Sequence, residues 1–236
     1  MVELLYLEDA YLRTFKATVV GSHDGVVFLD RTSFYPGGGG QPGDIGSLSS
    51  IDSTWTVSKV KRIQGDIGHF LDGAPPISGS AVSGELDWDR RFQLMRTHTA
   101  MHILCGVIWR DYQASVTGGD MQPLKGRMDF EFETMRRELV DDIERAVNLE
   151  VKTARDIHVQ ILPREEAFQI PDLIRTKINL LPEGIQEVRT VEIRGLDLQA
   201  DGGTHVANTS EVGRIHIPDY KSKGKINKRI YVTLDE

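Results

Sequence analysis

The segment Met95-Arg96-Thr97-His98-Thr99-Ala100-Met101-His102-Ile103-Leu104 decides how this chain is read. An α-helix turns once in about 3.6 residues, so His98 and His102 would leave one face of it. Phe92, Met95, Thr99, His102, Ile103 and Leu104 fall close to one stripe, and Asp87 or Asp89 is placed to cap a helix running to about Tyr112. Neutral imidazole is a common zinc ligand, and a helical His pair supplies two of the ligands that a catalytic site needs. Taken alone, the pair reads equally well as two histidines packed where a helix meets a sheet.

Upstream of the helix, residues 2–84 carry no helical periodicity and read as all-β. Leu4, Leu5 and Leu7 begin a first strand. Ala17–Val20 and Val26–Asp30 face each other across Gly21-Ser22-His23-Asp24-Gly25. Thr54–Ile63 alternates polar and apolar residues, and Gly65-Asp66-Ile67-Gly68 turns it toward His69-Phe70-Leu71. Short strands at close spacing predict a small β-barrel. In their midst lies Phe34-Tyr35-Pro36-Gly37-Gly38-Gly39-Gly40-Gln41-Pro42-Gly43. Consecutive glycines do not hold themselves rigid, so the run is a mobile loop or a place where backbone approaches something closely. Phe34, Tyr35 and Gln41 favour a loop packed against a partner domain. No Lys-Ser/Thr follows, which excludes a P-loop. Gly73–Ser80 is rich in Pro, Gly and Ser and reads as a linker, dividing the chain into a barrel domain (1–84) and a second domain (85–236).

In the second domain Gly118-Gly119 closes the region after the helix, and Arg127–Glu133 alternates as a strand with Met128, Phe130 and Phe132 inward. Thr134–Thr153 reads as an amphipathic helix. Strands follow at Ile157–Leu162, Glu187–Ile193, Gly213–Ile217 and Ile226–Leu234, with a short helix after Pro163. Helices on one face of a mainly antiparallel sheet make an α+β domain.

With 39% hydrophobic and 27% charged residues in 236, the composition is that of a soluble globular protein, and no apolar run is long enough for a transmembrane helix. The opening MVELLYLEDAYLRTF lacks the basic start of a signal peptide. A single cysteine, Cys105, excludes an internal disulfide framework and suits a reducing cytoplasm. It lies on the same side of the helix as His102 and reads as a buried filler rather than a ligand. A net charge of −7 argues against general nucleic-acid binding. Lys221, Lys223, Lys225, Lys228 and Arg229 nevertheless form a local basic patch, which suits an RNA partner or protection of an exposed edge strand.

Leu198-Gln199-Ala200-Asp201-Gly202-Gly203-Thr204-His205 follows a strand and reads as a tight turn. Brought to the helix, it would complete a three-histidine, one-carboxylate set of His98, His102, Asp201 and His205. Such nitrogen and oxygen donors suit Zn²⁺, with Mn²⁺, Fe²⁺ and Co²⁺ also open. Thr99 stands where a metalloprotease HExxH would carry its glutamate, so that chemistry is excluded.

These residues carry a resemblance. HTAMH (His98–His102) and GGTH (Gly202–His205) resemble the two metal-binding motifs of the alanyl-tRNA editing family, which comprises the freestanding AlaX proteins and the editing domain of alanyl-tRNA synthetase. The likeness extends to FYPGGGGQPGDIG (Phe34–Gly46), VTGGDMQPLKGRMDFEF (Val116–Phe132), VANTSEVGRIHI (Val206–Ile217) and KGKINKRIYVTL (Lys223–Leu234), at the size of the two-domain AlaX form. It implies an aminoacyl-tRNA deacylase that removes serine, and often glycine, from tRNA(Ala) by metal-assisted ester hydrolysis. It further implies one Zn²⁺ per chain on His98, His102, Asp201 and His205, and a cytoplasmic location; the sequence does not fix the oligomeric state, with a monomer favoured. Thr117 matches the family's substrate-sensing catalytic-site position, and Gly38, Gly39, Gln41, Gly202 and Gly203 are expected to line the substrate. One departure stands out: the family's second motif usually reads Cys-Gly-Gly-Thr-His, and Asp201 takes the cysteine position. Aspartate either ligates in its place or leaves three histidines and a more open metal. Two competing readings remain: a tRNA-binding module with a structural metal, and an editing domain for another tRNA such as threonyl-tRNA.

Overall fold

Alternation of buried and exposed residues shapes the first part of the chain. Its strands are β1 (Glu3–Leu4), β2 (Thr14–His23), β3 (Val26–Leu29), β4 (Arg31–Thr32), β5 (Gly46–Ser49), β6 (Thr54–Ile63), β7 (Asp66–Leu71) and β8 (Ala81–Leu86). In β2, Phe15, Ala17 and Val19 are buried while Thr14, Lys16 and Thr18 face water, and β8 repeats the pattern at Val82 and Leu86. A sheet with one apolar face avoids exposed edges by closing on itself. Here it closes as a six-stranded antiparallel barrel in the order β2-β3-β7-β6-β5-β8 around Val19, Val27, Leu29, Phe34, Leu48 and Ile67. The computed structural model describes residues 2–173 and 184–236 of an α+β protein with two units, Met1–Gln93 and Leu94–Glu236.

Two expectations change in the first unit. Leu5–Leu7 form a 3₁₀ turn after the two-residue β1, because Tyr6 turns inward, edge-on to Tyr35. Gly73–Ser80 joins β7 to β8 within the barrel and is not an interdomain linker. Turns and linkers share the same Pro, Gly and Ser composition, which is why the two were indistinguishable from sequence.

The glycine run is an ordered turn. Gly37, Gly38, Gly39 and Gly40 all have positive φ, a region that disfavours any residue with a Cβ. Gly38 and Gln41 exchange backbone hydrogen bonds of 3.0 and 2.9 Å, and the Tyr35 hydroxyl donates to the Gly38 carbonyl at 3.0 Å. The base of the turn is pinned by Asp44, which accepts from the Tyr35 N–H at 2.6 Å and from the guanidinium of Arg91. Arg91 is fully buried and also donates to the carbonyls of Ala10 and Ser33.

His69 supports the same segment from below. Its Nδ1 lies 3.1 Å from the Val27 carbonyl, which only accepts, so Nδ1 carries the proton and Nε2 accepts from the Thr32 hydroxyl at 2.9 Å. Thr32 in turn accepts from the Phe34 N–H at 3.1 Å.

The second unit is organised by Leu94–Tyr112, the larger part of α1 (Trp88–Tyr112), a helix that Asp87 caps by accepting from the Arg90 N–H at 3.1 Å. The expected apolar stripe is instead burial on all sides: from Leu94 to Ile108 only Arg96 is not buried. Such a helix is a core element, and its polar residues must find partners. After it come β9 (Val116–Gln122), β10 (Lys125–Glu131), α2 (Arg137–Lys152), β11 (Ile157–Pro163), α3 (Arg164–Ala167), β12 (Glu187–Ile193), β13 (Asp197–Ala200), β14 (Ile215–His216), β15 (Tyr220–Ser222) and β16 (Asn227–Leu234). Pairing is antiparallel throughout but divided between two sheets, β14-β16-β10-β9 with β15 on β16, and β11-β12-β13. Gly118 and Gly119 lie inside β9 rather than in a closing loop.

Missing side chains let α1 approach both sheets. A Cβ on Gly126 of β10 would sit 2.7 Å from Met101 Sδ, and one on Gly106 of α1 would sit 3.0 Å from Asp197 Cβ at the start of β13. The basic tail is partly self-engaged: Arg229 forms a two-pronged pair with Asp129, and Lys228 Nζ donates to the carbonyls of Gly224 and Lys225.

Burial takes the pKa of His69 down to about 4, against a smaller upward pull from the Val27 carbonyl. The unfolded chain therefore binds this proton first as the pH falls through 6.5, and the folded chain resists until about 4. Stability from this group is complete above the unfolded value and declines by roughly 3 kcal/mol across that window. Urea unfolding between pH 7 and pH 4 should show that excess loss in the wild type and not in His69→Asn; parallel pH profiles would contradict it.

Candidate metal centre

Two elements carry the cluster. Helix α1 presents His98 and His102 four residues apart, and the turn after β13 presents Asp201 and His205. One ligand atom from each of His98, His102, Asp201 and His205 lies within 4.8 Å of all the others. The rings are 4.3 to 5.1 Å apart, and the histidines are only 3 to 6% exposed. Asp201 receives His205 Nε2–H at 3.0 Å and stands 3.6 Å from His98 Nε2.

Local chemistry explains the turn. Asp201 continues the β13 pairing by donating its N–H to the Arg189 carbonyl at 3.0 Å, and its carboxylate accepts from the Gly203 N–H at 2.7 Å. That is the side-chain-to-backbone turn that aspartate favours. Arg189, half-buried on β12, donates from Nη1 to the carbonyls of Asp201 and Gly203, both at 2.9 Å. Beyond His205, Val206 N–H donates to Thr99 Oγ1 at 3.3 Å, and Asn208 with Glu211 forms a reciprocal capping box. The ring of His205 is thereby held between Thr99 at Nδ1, 3.2 Å away, and Asp201 at Nε2.

The protonation states differ by partner. Burial carries His98 well below the ordinary histidine value, only partly offset by the charge of Asp201. Burial likewise takes His205 to about 4, opposed by its hydrogen bond to Asp201. His102 is buried too, but its hydrogen bond to Asp197 and the Asp197 charge overcome burial and raise it. Burial would push Asp201 up, yet the surrounding histidines hold it well below the carboxylate range. An ionised carboxylate beside the two neutral imidazoles of His98 and His205 matches the protonation pattern that metal ligands require, whereas His102 would ligate in its neutral form, with Nδ1–H kept on Asp197.

Sequence reasoning missed four supporting residues. Asp197 Oδ2 accepts from His102 Nδ1–H at 3.1 Å, which leaves Nε2 as the ligand atom of that ring. Gln199 donates to the same Asp197 oxygen at 2.7 Å and to the Cys105 thiol at 3.3 Å. Thr99 and Arg189 complete the set. The signal was present for two of them: Asp197, Gln199 and Asp201 are spaced by twos along a strand and share one face. Cys105 is buried and stands outside the four-ligand group.

Thr117 lies on β9 beside a bulge, and its hydroxyl donates to Asn227 Oδ1 at 3.1 Å. Gly38, Gly39 and Gln41 belong to the barrel unit, where Gln41 is buried. Gly202 is exposed with ordinary φ, and a Cβ there would meet nothing within 4 Å.

The donor set of three imidazoles, one carboxylate and a carboxylate behind one imidazole could hold a divalent cation of borderline softness. Residues 188–231, which include the turn, match the family described as Threonyl and Alanyl tRNA synthetase second additional domain, and residues 7–90 match tRNA synthetases class II (A). The fold and site therefore fall in the class of synthetase-related editing proteins. Over 99% of both chains the sequence is 40% identical to Alanyl-tRNA editing protein AlaX-M of Saccharolobus solfataricus, and 38% identical to that of Methanosarcina barkeri. It is also 38% identical to Alanine--tRNA ligase of Ignicoccus hospitalis, over 90% of this chain and 24% of that one. The chain belongs to the AlaX-M family of alanyl-tRNA editing proteins.

If Asp197 orients His102, Asp197→Ala should weaken divalent-cation affinity by about 10- to 100-fold, with partial recovery in Asp197→Asn. Competition against a chromophoric chelator measures this, and an unchanged affinity in the alanine variant would remove Asp197 from that role.

Proposed function

We propose that this protein hydrolyses the ester joining serine, with glycine as a second substrate, to the terminal adenosine of tRNA(Ala), acting in trans in the cytoplasm. The observation that carries the reading is the buried four-ligand cluster in a chain of the AlaX-M family. In the reaction, water adds to the ester carbonyl carbon, the bond to the ribose oxygen breaks, and free amino acid and tRNA leave. No helix among the described residues is long and apolar enough to cross a membrane.

His98, His102, Asp201 and His205 would hold one zinc ion, and the departure at Asp201 is compatible with this because a carboxylate is itself a zinc ligand. When bound, the ion supplies Lewis-acid polarisation of the ester carbonyl. The chain's own residues do the rest. Asp197 fixes the ring of His102, Thr99 fixes His205, and Arg189 holds the carbonyls of the turn so that Asp201 and His205 keep their spacing. Burial keeps bulk water from competing for the donors.

Thr117 suits the task of telling serine from alanine. Its proton is given to Asn227, so its oxygen keeps acceptor capacity for a serine hydroxyl. A site that pairs with a hydroxyl discriminates strongly against the analogue lacking it. The neighbouring Gly118 and Gly119 have room for a Cβ, with nearest atoms at 4.0 and 3.7 Å, so packing does not demand glycine there. Glycine inside a strand often marks close approach by a ligand.

Wild type should release serine from Ser-tRNA(Ala) and leave Ala-tRNA(Ala) and Ser-tRNA(Thr) nearly untouched. Chelation should abolish the release and zinc should restore it, while Asp201→Ala should lose at least tenfold in both metal affinity and rate. Full activity after verified metal removal would refute the metal-assisted mechanism, and hydrolysis confined to Ser-tRNA(Thr) would move the enzyme to another tRNA. Thr117→Val should narrow the serine-to-alanine rate ratio by about tenfold or more; an unchanged ratio would exclude Thr117 from recognition.

A further inference from the structure

The barrel unit holds a feature that neither the metal cluster nor the fold uses. Beside the glycine turn a cleft of about 260 Å³ is lined by Gly43, Asp44, Ser58, Lys59, Lys61 and Arg90 among others. Three cations thus converge on one concavity. The carboxylate of Asp44 gives no compensation there, because it is already paired with Arg91 and the Tyr35 N–H. Among the described residues, Lys59, Lys61 and Arg90 form no ion pair with any carboxylate.

The local backbone sets where each cation stands. The pairing register of β6 with β7 slips between Val57 and Lys59, leaving Ser58 as the extra residue of a bulge. The bulge sets Val57 and Val60 inward, and Lys59 and Lys61 outward on one face. The two ammonium groups crowd each other: contact with Lys61 and its charge lower the pKa of Lys59, whose other neighbour is the face of Phe70, 5.4 Å away. Arg90 occupies the first turn of α1, where the helix dipole disfavours a cation, and its Nε is buried without a hydrogen-bond partner. The cleft floor also depends on a missing side chain, since a Cβ on Gly43 would come within 3.0 Å of the Val60 carbonyl.

Crowded, unneutralised cations at a concave site are relieved by an oxyanion. We propose that the cleft of Lys59, Lys61 and Arg90 binds a backbone phosphate of the tRNA substrate. This rests on the reading that tRNA is the partner. It also answers how a chain of net charge −7 holds a polyanion: through a local site and not an overall field.

The test measures binding of an uncharged tRNA(Ala) transcript by full-length wild type, Lys59→Ala/Lys61→Ala, and a control pair with the same charge change elsewhere, Lys16→Ala/Lys152→Ala. The cleft pair should weaken binding roughly tenfold or more at about 0.1 M salt and reduce the slope of log affinity against log salt by about 2. Lys59→Arg/Lys61→Arg should retain binding, and melting temperatures should confirm that every variant folds. If the cleft pair behaves as the control pair does, the site is overturned. If inorganic phosphate binds and depends on the two lysines while tRNA binding does not, the cleft serves a small phosphate and the nucleic-acid assignment falls. A wild type that deacylates Ser-tRNA(Ala) with no lysine dependence sinks the cleft alone. Lysine-dependent tRNA binding without deacylation leaves the cleft standing and sinks the editing reading.

Discussion

Three imidazoles and a carboxylate kept out of water around one point are the constraint on which the second unit depends. Desolvating such groups costs several kcal/mol each unless they are paired, so every element touching them must bring a partner. Helix α1 is buried all round because its polar residues are paired. Thr97 accepts from the Leu124 N–H at 2.9 Å, Thr99 from the Val206 N–H, and His102 Nδ1–H donates to Asp197. Gly106 and Gly126 let the sheets close on the helix, since a Cβ at either would collide with Asp197 and Leu196 or with Met101. The helix is positioned by the chemistry it carries as much as by apolar packing.

Asp201 shows how the departure from a cysteine is accommodated. A thiolate would offer one soft donor with little hydrogen bonding, whereas the carboxylate has two oxygens to satisfy. One takes both the Gly203 N–H and His205 Nε2–H, and the other faces His98. The carboxylate therefore shapes the turn as well as joining the donor set. Arg189, 3.9 Å from that carboxylate and bound to both neighbouring carbonyls, is the counter-charge that this arrangement needs.

Much of this was legible in the sequence, and the residues that were not share physical causes. Period two marked the barrel strands, because one-sided burial writes itself into the pattern, and the four-residue spacing of His98 and His102 marked α1. The all-round burial of α1 did not show, because threonine and histidine look polar until their partners are known. Composition left the glycine run open between a mobile loop and a close backbone approach, since flexibility is what glycine has before hydrogen bonds are counted; Tyr35, Gln41 and Asp44 supply them. The four side chains that the structure brings together, His98, His102, Asp201 and His205, were visible as motifs. Arg189 and Thr99 were not, because a lone arginine in a strand or threonine in a helix carries no spacing signal.

The glycines sort the rest of the second unit. Gly106 and Gly126 cannot gain a Cβ without collision at 2.7 to 3.0 Å, so the fold accounts for them. Gly118, Gly119 and Gly202 could each gain one at ordinary distances and without a left-handed backbone. A glycine in a strand costs roughly 0.5–1 kcal/mol relative to alanine, and packing returns nothing for it at Gly118 and Gly119 of β9. Two directly follow Thr117, and the third lies between Asp201 and His205. The backbone left bare by the fold thus adjoins the hydroxyl suited to reading a substrate and the ligands suited to holding a metal. That coincidence is what a substrate passing close to the main chain would require.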